Sequence, residues 1–249
     1  MNSDALPRLL DLLHRGDPAD RQKAALRLGT LDTTEVMPEL VALMALEDDD
    51  FVRETLIWAV VARPTAAAPV LVSALGHALP KEPVLHALSK VGDPATVPAI
   101  LDFAEDADPV VAAKAWWALG RIASAEGLDV LISHLGSERA ELRHGLTRAL
   151  LEFGTPSVDA LEQALSSDSP AVRSHAAEVL VAFADPTRYS STERRAGSEL
   201  AGRAATVLRG ATAPEVDGAL LLATISDDRP GLAAAAAELR NERRGGPVG

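Results

Sequence analysis

The sequence predicts an all-α fold, a right-handed α-solenoid of about six to seven short helix pairs. Three observations predict it: segments of about 30 residues recur, their apolar residues follow helical spacing, and small aliphatic residues supply the apolar volume. Of the 249 residues, 47% are hydrophobic but only 3% are aromatic. A single globular core usually depends on aromatic side chains for bulk, so this composition favours thin, two-layer packing of helices.

Six consecutive segments share one internal plan. Each begins with a short apolar helix, such as MPELVALM or VDALEQAL, continues through a tight turn, and ends with a second helix. Because one helix pair cannot bury its apolar side alone, stacked neighbours are needed to build a continuous core. The six segments span residues 5–34, 35–66, 67–95, 96–125, 126–157 and 158–188.

Local signals place the starts of several second helices. Asp17-Pro18, Asp108-Pro109 and Ser169-Pro170 each set an acceptor side chain before a proline. Aspartate or serine accepts hydrogen bonds from the unpaired N–H groups of the first turn, and proline suits the first helical position. Gly92 and Gly154 lie among the breakers that follow second helices.

The repeat pattern stops after Arg188. We therefore assign residues 5–188 to six repeats and the polar stretch 189–197 to a loop or insertion. Residues 198–242 are predicted to form degenerate C-terminal capping helices, with one helix over 198–208 and a last helix pair over 214–242. The tail, 243–249, is predicted to be disordered.

The second helices carry a recognisable pattern. The stretches DSPAVRSHAAEVLVAFADP (168–186) and DPVVAAKAWWALGRI (108–122) resemble the HEAT-repeat family, in particular the short HEAT-like repeats of the phycobilisome-lyase type. This resemblance covers about residues 5–188 and implies a solenoid whose second helices line a concave face. It does not imply chromophore chemistry, because a fold does not carry its function with it.

Net charge and composition exclude several classes of binding partner and site. The formal net charge is -12, and an acidic protein repels nucleic acid and anionic membranes on average. The chain has 0 cysteines, which excludes disulfides and thiolate metal sites. We expect no signal peptide, because the start of the sequence lacks a basic region followed by a long apolar stretch, and no membrane-spanning helix, because no apolar run reaches about 18 residues. We expect a cytoplasmic monomer that binds neither nucleic acid nor membranes.

The sequence lacks the signatures of two enzyme classes that have related repeats. Deoxyhypusine hydroxylase binds iron through His-Glu dipeptides, and none of the six histidines here precedes glutamate. Glu82/His86 and Glu141/His144 have helical spacing but form no repeated motif. Alkylpurine DNA glycosylases use a basic face with aromatic residues, and the acidic net charge opposes that interpretation of the tryptophans. No catalytic residue, metal site or cofactor is predicted.

Arginine recurs at one early position of four second helices, namely Arg21, Arg53, Arg143 and Arg173. One interpretation is a basic ladder that binds a ligand. We favour the structural alternative, in which each arginine pairs with an acidic residue of a neighbouring turn, as in HEAT-like arrays.

The candidate binding surface follows from aligning the second helices. One recurrent, exposed position holds Leu26, Trp58, His86, Trp117, Arg148 and Glu178, and residues one turn before and after share its helix face. Exposed tryptophan is enriched at binding hot spots; the alternative is that Trp58 and Trp117 fill space between second helices. The predicted binding residues are Trp58, His86, Trp117, Arg148, Glu54, Glu82, Lys90, Arg121, His144 and Glu178.

The sequence is compatible with two functions. The first is a non-catalytic scaffold, an assembly factor or chaperone-like protein, that binds a protein or peptide on the concave face. The second is an enzyme or lyase-like protein that handles a small molecule in the same groove. An open, shallow groove favours the first, whereas a closed pocket with a perturbed acid or base favours the second.

Overall fold

The structure, a computed structural model, describes residues 5–31, 34–137, 140–189, 194–226 and 228–245. These residues form helices and turns without any strand, so the predicted all-α fold is confirmed. The chain divides into two compact units, Met1–Ser124 and Ala125–Gly249. Short helices packed on one another make up both units, and each unit is described by itself.

The first unit contains four helix pairs. In every pair the first helix packs on the second, and the second helices contact one another in sequence, α2 on α4, α4 on α6 and α6 on α8. Its helices are α1 (Ala5–Arg15), α2 (Pro18–Thr30), α3 (Met37–Leu46), α4 (Asp50–Val61), α5 (Pro64–Leu75), α6 (Lys81–Val91), α7 (Val97–Leu101) and α8 (Pro109–Ile122).

The second unit continues with seven helices in two rows. The first row is α9, α11, α13 and α15, and the second row is α10, α12 and α14, each packed on the next. The bounds are α9 (Ala125–Ser133), α10 (Ala140–Glu152), α11 (Thr155–Ala164), α12 (Pro170–Phe183), α13 (Arg194–Gly210), α14 (Glu215–Thr224) and α15 (Pro230–Arg243).

The predicted helix starts are confirmed by their hydrogen bonds. The carboxylate of Asp17 accepts from the Asp20 N–H, and that of Asp108 accepts from the Val110 N–H. The hydroxyl of Ser169 accepts from the Val172 N–H. At the other end of a second helix, Gly92 takes a left-handed conformation with φ of 68° and ends α6, a conformation that costs glycine little.

The last helix pair predicted over 214–242 is present, since α14 and α15 pack on each other. Its order differs from that of the earlier repeats: α14, the first helix of the pair, lies on α12 in the second row, and α15 lies on α13 in the first row. The helix expected at 198–208 spans Arg194–Gly210, so residues 194–197, assigned to a loop, are helical. It buries Ala201, Ala204 and Leu208, which makes it the first helix of a repeat rather than an addition to the array.

Two assignments fall partly outside the described residues. The loop or insertion at 189–197 includes 190–193, and the tail at 243–249 includes 246–249, which the structure does not describe. Within the described part of the tail, α15 includes Arg243. No single described helix is long and apolar enough to cross a membrane; α4 and α5 qualify only as a pair, and that pair bends by 120°.

Three of the four repeated arginines have the structural role that the sequence favoured, whereas Arg53 pairs with Asp50 of its own helix. Arg21 pairs with Glu47 at 2.7 Å, Arg143 with Glu178 at 2.7 Å, and Arg173 with Glu215 at 2.6 Å. Arg21 and Arg173 also donate to carbonyl groups of the turn that precedes their helix. Arg21 and Arg173 therefore link a second helix both to its own turn and to the next repeat, and Arg143 links α10 to α12.

Candidate functional site

In the first unit, the predicted row contains one tryptophan that is both exposed and held in place. Trp58 lies on α4 and leaves 46% of its surface exposed. Its ring lies so close to the backbone of Gly29 on α2 that a methyl group at position 29 would overlap it. The two alternatives for Trp58 therefore combine: part of the ring packs on the neighbouring helix, and the rest stays open to solvent.

Polar residues connect the neighbouring helices along the same row. The Glu54 carboxylate on α4 lies 3.1 Å from His86 Nε2 and 3.2 Å from Lys90 Nζ, both on α6. Burial alone would raise the pKa of Glu54, but the hydrogen bond from Lys90 holds it below its usual range. Burial lowers the pKa of His86, and the Lys114 charge adds to this effect. His86 is therefore a neutral link between α4 and α6 near neutral pH.

The other tryptophans occupy different environments on α8. Trp116 is buried, and its indole N–H donates to the Ala104 carbonyl at 2.9 Å. Trp117, the predicted binding residue, is half-buried. On the same row, Glu82 of α6 pairs with Lys114 of α8 at 2.6 Å, and Arg121 is exposed at the end of α8. The helix of His86 thus lies between those of Trp58 and Trp117.

The remaining predicted residues lie in the second unit. His144 and Arg148 are exposed on α10, whereas Glu178 is half-buried on α12, where it accepts from Arg143 and Ser174. None of the ten predicted residues is fully buried. The alignment of second helices therefore identified an accessible face in each unit.

A groove of about 470 Å³ opens on that face of the second unit. Its apolar lining includes Val181 on α12 and Leu222 on α14, and its polar lining includes His144, Glu178 and Arg229. The sequence analysis identified His144 and Glu178. It missed Leu222 and Arg229, because α14 was expected to be the first helix of the last pair and therefore to lie outside the second row. The run of leucines in GALLLATI was the available signal, since three successive leucines cannot all face one core.

The most perturbed titratable group in the described residues cannot meet a substrate. His175 on α12 is completely buried. Its Nε2 lies 3.3 Å from the Thr147 hydroxyl, and its Nδ1 accepts from the Gly136 N–H at 3.4 Å. Burial lowers the pKa of His175 to about 4, and the Arg143 charge adds to this effect. This histidine is a neutral packing residue and not an acid or base of a reaction site.

Metal-ligating side chains do not converge within the described ranges. No three histidine or carboxylate side chains among them could hold one metal ion. Glu82 and His86, whose helical spacing the sequence analysis considered, do not act together: Glu82 pairs with Lys114, and His86 faces Glu54. These residues instead join consecutive second helices.

The repeat geometry agrees with a sequence comparison across most of the chain. The sequence profile described as HEAT repeats matches residues 2–61, 68–151 and 128–209. The chain belongs to the HEAT-repeat family. The HEAT repeats thus extend past Arg188 and include most of α13, in agreement with its place in the first row. No curated protein matches this chain in sequence.

Solved structures with a similar arrangement are distant. An engineered protein is 20% identical with a TM-score of 0.42, and covers 98% of this chain and 69% of its own. The CpcE–CpcF complex of a phycocyanin lyase from Nostoc is 19% identical with a TM-score of 0.41, over 83% and 94%. Human deoxyhypusine hydroxylase is 18% identical with a TM-score of 0.39, over 95% and 96%. Similarity at this level carries no argument about function.

Proposed function

We propose that this HEAT-repeat protein is a non-catalytic scaffold that binds a protein or peptide partner on the exposed face of its second helices. The observation that carries the proposal is Trp58. A large side chain that already rests on Gly29 loses little further freedom when a partner covers it. Aromatic side chains of this kind dominate the binding energy of many interfaces.

The neighbouring residues supply the polar surround that such a hot spot needs. Glu54 and Lys90 are exposed beside His86, and Trp117 continues the row on α8. A ring of polar contacts around an aromatic centre excludes water from it. A partner helix or an extended segment fits a row of residues that repeats from helix to helix.

The alternative is a small-molecule enzyme or lyase-like activity in a groove of the same face. Enzyme sites bury most of their substrate and hold groups with shifted pKa values within reach of it. Here the groove of the second unit is lined by the exposed residues His144, Leu222 and Arg229, while the strongly perturbed His175 is sealed in the core. These observations favour the scaffold.

The test is affinity capture from native cell extract, with the full chain as bait. We expect one partner to be retained by the wild type and lost with Trp58→Ala. The matched control is Phe51→Ala, which removes a ring that is 79% exposed at the start of the same helix and outside the binding row. Equal capture by wild type and Trp58→Ala, with both variants folded by circular dichroism, would contradict the proposal.

A further inference from the structure

We infer that the groove between α10, α12 and α14 binds an acidic amphipathic peptide segment, one that presents apolar side chains together with a carboxylate. This inference rests on the proposed function, since it names the chemistry of a partner for the second-helix face. It concerns the second unit only, and its residues are separate from Trp58.

The shape and lining of the groove indicate its apolar specificity. Val181, Ala182, Ala219 and Ala223 are groove-lining residues with small or aliphatic side chains, and Leu222 is 62% exposed beside them. Ile225, one residue from the groove-lining Ser226, is 67% exposed. An exposed leucine near the end of α14 and an exposed isoleucine directly after it indicate a surface that a partner covers. A volume of about 470 Å³ accommodates a few apolar side chains.

The charge of the lining indicates what accompanies those side chains. The groove is lined by two arginines, Arg143 and Arg229, and by one glutamate, Glu178. Glu178 already accepts a hydrogen bond from Arg143 at 2.7 Å. Because the charges of Arg143 and Glu178 offset each other, the lining keeps one net positive charge, on the exposed Arg229. The whole chain, in contrast, has a net charge of -12. Exposed His144 adds a further donor. A carboxylate is the ligand group that complements an arginine fork.

The open form of the groove favours a peptide over a free small acid. Small-molecule sites bury most of the ligand surface, whereas Leu222, His144 and Arg229 are all exposed here. A peptide segment reaches the apolar and cationic residues together and can extend beyond the groove along α14. Its contacts with Leu222 and Arg229 are then made by neighbouring turns or by alternate residues of one chain.

The experiment is a selection of displayed random peptides on the full-length protein. We expect enrichment of sequences that combine leucine or aromatic residues with aspartate or glutamate. Synthetic, fluorescein-labelled copies of the selected peptides are then titrated by anisotropy. Leu222→Ser and Arg229→Glu should each lower the affinity by about tenfold or more. The matched controls, Leu221→Ser on the same helix and Arg244→Glu on an exposed arginine outside the groove, should leave it unchanged.

Each other outcome overturns the inference. One such outcome is a selection that yields basic sequences or no sequences. A second is a peptide affinity that Leu222→Ser and Arg229→Glu leave unchanged. A third is binding of N-acetyl-leucine as strong as that of the peptides, which would indicate a small-molecule pocket. The proposed function fails separately, because it predicts that Trp58→Ala abolishes partner capture. Loss of capture with Trp58→Ala, together with no effect of the groove variants on peptide binding, would refute this inference alone.

Discussion

The indole ring of Trp58 lies against the backbone of Gly29, one repeat earlier, in the space that any larger residue at position 29 would occupy. Glycine in a helix normally costs about 1 kcal/mol relative to alanine, so its place inside α2 needs a reason. The contact provides one: Gly29 lets part of the ring approach the neighbouring helix while the rest of the ring stays exposed.

This contact predicts a change of sign in a double-mutant cycle. In the wild-type protein, Gly29→Ala should lower the free energy of unfolding by about 1–3 kcal/mol, because the new methyl group forces the ring aside. In the Trp58→Ala background the overlap with the ring is gone, and the same change should be close to neutral, since better helix propensity offsets the close approach to Ala59. Urea unfolding of the four proteins measures the coupling. Equal effects of Gly29→Ala in both backgrounds would show that the ring does not rest on position 29.

The three tryptophans should differ in their contribution to stability. Trp116→Ala should lower the free energy of unfolding by about 3–5 kcal/mol, because it removes a buried ring and leaves the Ala104 carbonyl without its donor. Trp58→Ala should lower it by less than about 2 kcal/mol, since the ring is half exposed. Trp117, half-buried, should fall between them. Thermal melts give this order, and a loss for Trp58→Ala as large as for Trp116→Ala would mark it as core packing and remove the basis of the binding row.

His175 predicts a pH dependence of stability. Its pKa is about 4 in the folded chain against an ordinary value of 6.5, so the unfolded chain binds more protons between these values. Stability should therefore be complete above pH 6.5 and fall by about 3 kcal/mol as the pH decreases to about 4. Proton NMR titration of the imidazole and amide exchange in α12 measure the two effects. His144→Gln, on an exposed histidine, is the control. An imidazole that titrates near 6.5 would contradict the buried, neutral state.

The Arg21–Glu47 pair should stabilise the first unit more than a surface pair does. The Glu47 side chain is only 9% exposed. Burial alone would raise its pKa, yet the hydrogen bonds from Arg21 and the Asp49 N–H hold it below the usual range. Arg21→Ala leaves this carboxylate without its cation and should lower the free energy of unfolding by about 1–3 kcal/mol. Lys23→Ala, which breaks an exposed pair with Asp20 on the same helix, should change it by less than about 0.5 kcal/mol. Chemical unfolding compares the two, and equal losses would refute the difference.

The same pairing leads us to expect no appreciable binding of duplex DNA at physiological salt. Arg21, Arg143 and Arg173, three members of the basic ladder considered as the alternative interpretation, each pair with a carboxylate. Phosphate binding depends on cations that release counterions from the duplex, and these cations are already neutralised. Anisotropy of a labelled duplex measures this, and a submicromolar affinity that falls steeply with added salt would contradict the expectation.

The sequence by itself determined the helix pairs, their number through Arg188, the capped starts at Asp17, Asp108 and Ser169, and the accessible face of the second helices. These features depend on hydrogen bonds within one turn and on the 3.6-residue period, both of which are local. Only the tertiary structure decided that Trp58 lies against Gly29 and that Glu54 pairs with His86 and Lys90. It also decided that α14 lies on α12 in the second row, where Leu222 lines the groove. Each of these relationships joins residues about 30 or more positions apart, or depends on which helices stack, and neither periodicity nor capping specifies a partner at that distance.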